Sequence, residues 1–236
     1  MTAELFAVIA LTTLVGAFAQ GTTGLGFALI LAPVVGFIEP LWLPVIVLVL
    51  MIPLNVYVLH RERHALDWSG VGWITVGRVF GAVVGLWVLI AVPGDGLNLL
   101  IGGSTVLAVL ATLLISPFRP GSPALISAGV LTGVTETATG IGGPPLALVY
   151  QHHPAATLRS TMAACFLVGE ILSLALLAGA GRVSLHQLLI AAALMPALLI
   201  GAWLSQTTHH RVEGPMLRGI VLAFALVSGV VLIVQG

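Results

Sequence analysis

The chain has 236 residues, 59% of them hydrophobic and 7% charged, with no net charge. Soluble domains carry about 25% charged residues, so the composition excludes a globule that covers itself in water, and the absence of a basic excess excludes a nucleic-acid footprint. At ~20 residues per span, the length suffices for eight or more bilayer crossings, and no polar stretch is long enough for a separate soluble domain. All eight basic residues are arginine; the single cysteine, Cys165, lies in an apolar run, rules out an internal disulfide and reads as a small core residue.

Residues 4–20 form the first apolar stretch. Ala17-Phe18-Ala19 before Gln20 has the shape of a signal-peptidase site. Glu4, with no basic residue near it, is the wrong charge ahead of a signal sequence. An internal repeat also crosses this point, so residues 1–20 are expected to be retained. Gly21-Thr22-Thr23-Gly24 interrupts the stretch, and residues 25–38 form a second. Spans 41–59, 69–91 and 97–115 follow. A second broken opening is predicted at 122–135 and 143–151, then spans 157–178, 185–204 and 215–235. All are expected to be helices, because a lone strand cannot satisfy its backbone in lipid.

The repeat appears when residue n is compared with n+116. Gln20-Gly21-Thr22-Thr23-Gly24-Leu25-Gly26 falls on Glu136-Thr137-Ala138-Thr139-Gly140-Ile141-Gly142, and Gly85-Leu86-Trp87 falls on Gly201-Ala202-Trp203. Two matches at one offset near half the chain length point to duplication with fusion, a two-repeat transporter pattern. The expected fold is therefore an all-α polytopic membrane protein. Its repeats, 1–118 and 119–236, each hold a broken opening helix pair followed by three transmembrane helices.

The break decides how the halves face. If residues 4–38 cross once, the halves are parallel and the arginines split almost evenly between the two sides. If the chain reverses at the break, the halves are inverted. Arg61, Arg63, Arg119, Arg159, Arg211 and Arg218 then share one side, and Arg182 faces the other. The positive-inside rule selects the inverted arrangement, with both termini outside the cytoplasm. Segments of 14–17 residues reach only ~21–26 Å, which favours a re-entrant hairpin over two full crossings.

The two Thr-Gly-x-Gly breaks are the leading candidate site. Glycine permits a sharp turn, and a helix starting just after each break aims free N–H groups and a positive dipole end at the membrane interior, a ready anion site. Pro144 and Pro145 fit the first turn of the second such helix. The candidate anion-binding residues are Gln20, Thr22, Thr23, Gly24, Leu25 and Gly26 at the first break, Thr137, Thr139, Gly140, Ile141, Gly142 and Gly143 at the second, and Arg78. The alternative is that these glycines only permit tight helix packing.

Both breaks, the arginine-bearing start of the span after the second (Pro154, Arg159-Ser160-Thr161) and the Gly85/Trp87 spans resemble the sulfite exporter TauE/SafE family over nearly the whole chain. Many members have a Gly-x-Gly-Gly-Gly run, whereas here the copies read Gly24-Leu25-Gly26-Phe27 and Gly140-Ile141-Gly142-Gly143-Pro144. The resemblance implies transport of sulfite, an organosulfonate or another sulfur-containing anion across a bacterial cytoplasmic membrane. A passive anion channel and an intramembrane enzyme are the alternatives; the second lacks a histidine at mid-membrane depth, and a P-loop ATPase would need the missing lysine.

Three ionisable residues fall at membrane depth, where they default to function. Arg78 either neutralises a bound anion or pairs structurally with Glu170 or a backbone carbonyl. Glu136 either carries a coupling proton or hydrogen-bonds structurally. Glu170, offset-paired with Leu54 beside Asn55, either couples or joins helices by hydrogen bonds. His60, His64, His152, His153, His209 and His210 fall near predicted cytoplasmic ends and His186 at the opposite side, without the spacing of a metal site. No cofactor is expected. The expected partners are a small anion and membrane lipid; a homodimer and a coupling proton or sodium ion stay open.

Overall fold

The computed structural model describes residues 2–93, 96–114, 120–208 and 214–235. The predicted repeat boundary at 118/119 lies outside them, as do Arg119, His209, His210 and Arg211. The described residues form ten α-helices: α1 (Ala3–Thr23), α2 (Phe27–Ile38), α3 (Val45–Glu62), α4 (Trp68–Ala91), α5 (Leu97–Leu114), α6 (Ser122–Thr139), α7 (Gly143–Tyr150), α8 (Ala155–Gly179), α9 (Leu185–Thr208) and α10 (Gly214–Gln235). Seven of them are long and apolar enough to cross a membrane.

Local chemistry fixes the helix ends. The Thr2 hydroxyl accepts from the Leu5 N–H to open α1, and the Asp67 carboxylate accepts from the Gly70 N–H at 3.0 Å to open α4. Gly24 and Gly140 end α1 and α6 in the left-handed region, at φ 84° and 83°. Each donates its N–H over 2.8 Å, to Gln20 O and Glu136 O respectively.

The arms of the broken openings are unequal. At 1.5 Å per residue α1 is ~31 Å long and α6 ~27 Å, against ~18 Å for α2 and ~12 Å for α7. Each broken opening is a longer arm followed by a short one, and α1 is the arm long and apolar enough to cross a membrane. The helical run extends three to four residues further than its hydropathy, because Gly21, Thr22 and Thr23, like Thr137 to Thr139, stay helical, all of them buried except the half-buried Thr23. The chain folds back after each break: Phe27 lies against Gly16, and Gly142 against Thr132.

Packing follows the repeat. α4 packs on α6 as α9 packs on α1; α4 meets α8 as α9 meets α3; α2 meets α10 as α7 meets α5. The remaining large interfaces pair equivalent helices, α3 with α8 and α5 with α10. In α3 and α8, Asn55 meets Glu170 while Glu62 meets Arg159, so these helices run antiparallel. α5 and α10 do the same, with Gly102 against Leu232 and Val106 against Gly229.

Glycines set the closest approaches. A Cβ on Gly77, Gly81 or Gly129 would lie 2.1–2.2 Å from a carbonyl oxygen of the facing helix, so α4 and α6 touch backbone to backbone. Gly85 and Gly201, which the repeat superposes, both do this against the first helix of the other half, beside Val134 and Leu14. Their companions Trp87 and Trp203 are exposed, as are Phe80, Leu107 and Val227. The outer surface is apolar, while Arg78, Glu136, Glu170 and Asn55 are fully buried. A bilayer is the solvent that matches this arrangement.

Candidate functional site

The two breaks meet inside the bundle. Residues 24–28 and 140–144 are buried, and a methyl group on Gly143 would touch Leu25 Cβ at 3.6 Å. Each break is built alike. Thr23 Oγ1 accepts from the Leu25 N–H at 3.3 Å, and Thr139 Oγ1 accepts from the Ile141 N–H at 3.4 Å. The hydroxyl protons are used as well: Thr22, Thr23 and Thr139 donate to Phe18 O, Ala19 O and Thr135 O. In this conformation the hydroxyls of Thr23 and Thr139 and the N–H groups of Leu25 and Ile141 are engaged within the breaks. The threonines satisfy the turn that makes the break. Thr137 is bonded to Ser173 at 2.7 Å.

The offset-paired Gln20 and Glu136 stand where the short helices begin, in related but unequal roles. Gln20 Oε1 accepts from the Phe27 N–H, the first of α2, at 3.3 Å. Its amide donates over 3.5 Å to Asn55 Oδ1, and Asn55 Nδ2 donates over 2.6 Å to Glu170 Oε1. Glu136 packs on Gly142 and accepts from the Arg78 guanidinium. Arg78 is seated on Gly169, with Phe166 5.9 Å from its Cζ. Five helices thus contribute to one buried polar cluster holding one guanidinium and two carboxylates. Arg78 Nε and Nη1, Glu136 Oε2 and Glu170 Oε2 have no hydrogen-bond partner among the described residues. Arg78 is ion-paired, with Glu136 rather than the expected Glu170, which takes the Asn55 amide instead.

A family model for the sulfite exporter TauE/SafE family matches residues 8–232. The chain belongs to the sulfite exporter TauE/SafE family. No curated protein and no solved structure matches it.

In this TauE/SafE member the first break is also held from one end of the bundle. Arg61 donates to Gly21 O at 2.8 Å and pairs with Glu62. Arg159 grips Glu62 through two nitrogens, at 2.7 to 3.0 Å, and its stem covers Gly24. The signal for this cluster was present in the sequence as charged residues at the ends of two apolar runs, but the pairing of residues 97 apart was not. Nearby, the Asp67 carboxylate accepts from the Tyr150 hydroxyl at 2.6 Å. Burial pushes Asp67 up, but the Tyr150 and Gly70 hydrogen bonds, with His153 nearby, outweigh it and hold the carboxyl below its ordinary value. Arg182 sits at the opposite end, in a cavity with Leu41, Leu43 and Leu97. The second break borders a third feature, an apolar groove of about 610 Å3 lined by Leu107, Leu131, Ile141 and Pro144.

Proposed function

We propose that this TauE/SafE member is a secondary transporter that exports a small sulfur-containing anion, sulfite or an organosulfonate, by alternating access. The two halves act as inverted repeats. Support comes from the antiparallel course of α3 against α8 and α5 against α10, and from packing that is preserved when the halves are exchanged. The observation that carries the reading is the meeting of the two breaks at Leu25 and Gly143, because it brings two short-helix N-termini together among buried residues.

Helix N-termini at membrane depth favour negative charge by dipole and by unpaired N–H groups. With Leu25 and Ile141 capped by threonine and Phe27 by Gln20, the donors left for an anion are the N–H groups of Gly26, Gly142 and Gly143 and those of Ala28 and Leu29 in the first turn of α2. Glycine at these positions lets the backbone approach an oxyanion closely. In this conformation Leu25, Gly143 and Phe166 fill the space between the breaks. Export then requires the halves to rock apart on one side at a time. The arginine-rich end, closed by Arg61, Glu62 and Arg159, is the cytoplasmic gate, and the termini lie on the other side.

Counterflow of radiolabelled sulfite in proteoliposomes tests this. Saturable exchange, inhibited by sulfoacetate or thiosulfate and abolished by Gly142→Leu in a monodisperse protein, is expected. A Cβ at Gly142 would collide with Glu136 Oε2 at 2.2 Å and close the second break. Non-saturating conductance without exchange would make the protein a channel. No flux of any of the three anions above that of empty liposomes would sink the anion reading.

A further inference from the structure

The buried cluster carries a charge imbalance. One guanidinium faces two carboxylates, all fully buried. A net charge held away from water costs several kcal/mol, so the cluster is stable when it holds one proton as well. Geometry says where. Glu136 is matched to Arg78 in a charge-assisted bond and has reason to stay ionised. Glu170 has only a neutral amide donor, Asn55, and its Oε2 has no partner among the described residues. A buried carboxylate with one neutral donor is poorly compensated, whereas the neutral acid is not.

We propose that Glu170 is a proton-binding site, and that the chain Glu170–Asn55–Gln20–Phe27 carries its protonation state to the start of α2. The bonds run in one consistent sense. Phe27 N–H donates to Gln20, Gln20 to Asn55, and Asn55 to Glu170. An ionised Glu170 holds the Asn55 amide strongly and keeps the relay aligned; the neutral acid holds it weakly. The relay thereby ties loading of a proton to the fit of the short helix at the first break. In loading, one O–H bond forms at Glu170 Oε2 and one breaks in a hydronium ion; unloading returns the proton to water on the other side. The charged and titratable groups facing Glu170 are Arg78 from α4 and Glu136 from α6, with Cys165 on its own helix. α1 and α3 present Gln20 and Asn55; Arg61 and Glu62 of α3 lie roughly two turns further along, and Tyr150 of α7 is committed to Asp67. The role of the proton in coupling rests on the transport reading; its binding does not.

Infrared spectroscopy of the lipid-reconstituted protein at neutral pH tests the binding. The wild type should show a carboxylic-acid C=O band that is lost in Glu170→Gln, a neutral variant that keeps the acceptor for Asn55. Asn55→Leu should retain the band but move it to higher frequency, because the acid loses its hydrogen bond. Absence of the band in the wild type, its survival in Glu170→Gln, or an unshifted band in Asn55→Leu would each overturn the assignment. In proteoliposomes, a pH gradient should accumulate sulfite in the wild type, and Glu170→Gln should reduce that accumulation to the passive level. Wild-type accumulation by Glu170→Gln would overturn the coupling role. A wild type that moves no sulfite would remove the transport reading alone, while the infrared band still decides the proton site.

Discussion

Gly169 shows how one missing methyl group builds the polar cluster. A Cβ there would fall 1.7 Å from Arg78 Nη2. The guanidinium cannot retreat into water, since it is fully buried and tied to Glu136. Gly169→Ala should therefore displace Arg78 from Glu136 and destabilise the protein by about 3 kcal/mol, the lower end for breaking a buried pair. Reversible unfolding in mixed micelles measures this. Gly179→Ala, on the same helix with open space at its Cβ, is the control and should be nearly neutral. In an Arg78→Ala background the cost of Gly169→Ala should largely vanish; an undiminished cost would show that the helix backbone, not the guanidinium, is what the methyl group strikes. Composition marked Arg78, Glu136 and Glu170 as costly intramembrane charges. It held nothing to say that Arg78 would choose Glu136, because 58 residues separate them. Gly169 carried no signal, since its meaning is the empty volume beside it.

At the scale of elements, the α4–α6 contact is the most extensive among the described residues. Its pattern, Gly77-x3-Gly81-x3-Gly85 facing Gly129-x3-Gly133, lies open in the sequence. In lipid no hydrophobic force drives helices together, so association depends on van der Waals contact that only small residues allow. Gly81→Leu should cost about 3 kcal/mol, the upper range of overpacking, because the new side chain meets the Val130 carbonyl rather than a movable side chain. Gly72→Leu, one face away with open space, should stay within about 0.5 kcal/mol of wild type. Equal effects at the two glycines would mean that helix propensity, not the crossing, governs. The breaks themselves were legible, since Thr-Gly-x-Gly occurs twice at one offset. Their hydrogen bonding was not, because a threonine hydroxyl serves an anion and its own turn equally well on paper.

For the whole molecule, orientation is the property to test. In a Cys165→Ala background, single cysteines at Thr2, Ala180 and Gln235 should react with an impermeant maleimide from outside the cell. Those at His64 and His152 should react only after permeabilisation. Thr2 and Gln235 labelling from opposite sides would remove the inverted arrangement, since the chain would then cross an odd number of times. Arg61 and Arg159 stand together at one end of the bundle and Arg182 at the other.

The class of molecule, the positions of the long helices, the two breaks and the family are legible in the residues alone. These follow from signals that are local or periodic: runs of apolar residues set by bilayer thickness, glycines where φ must turn positive, and a repeat at fixed spacing. Which charges pair, how the threonines are spent, and that the two breaks touch emerge only from the fold. Those outcomes depend on which helices lie side by side, and in lipid that is set by shape complementarity between distant segments rather than by any property of a single stretch. Gln20, Asn55 and Glu170 are polar residues in three separate apolar runs. They become one hydrogen-bonded line because α1, α3 and α8 pack together and the hydrocarbon around them offers no other partner.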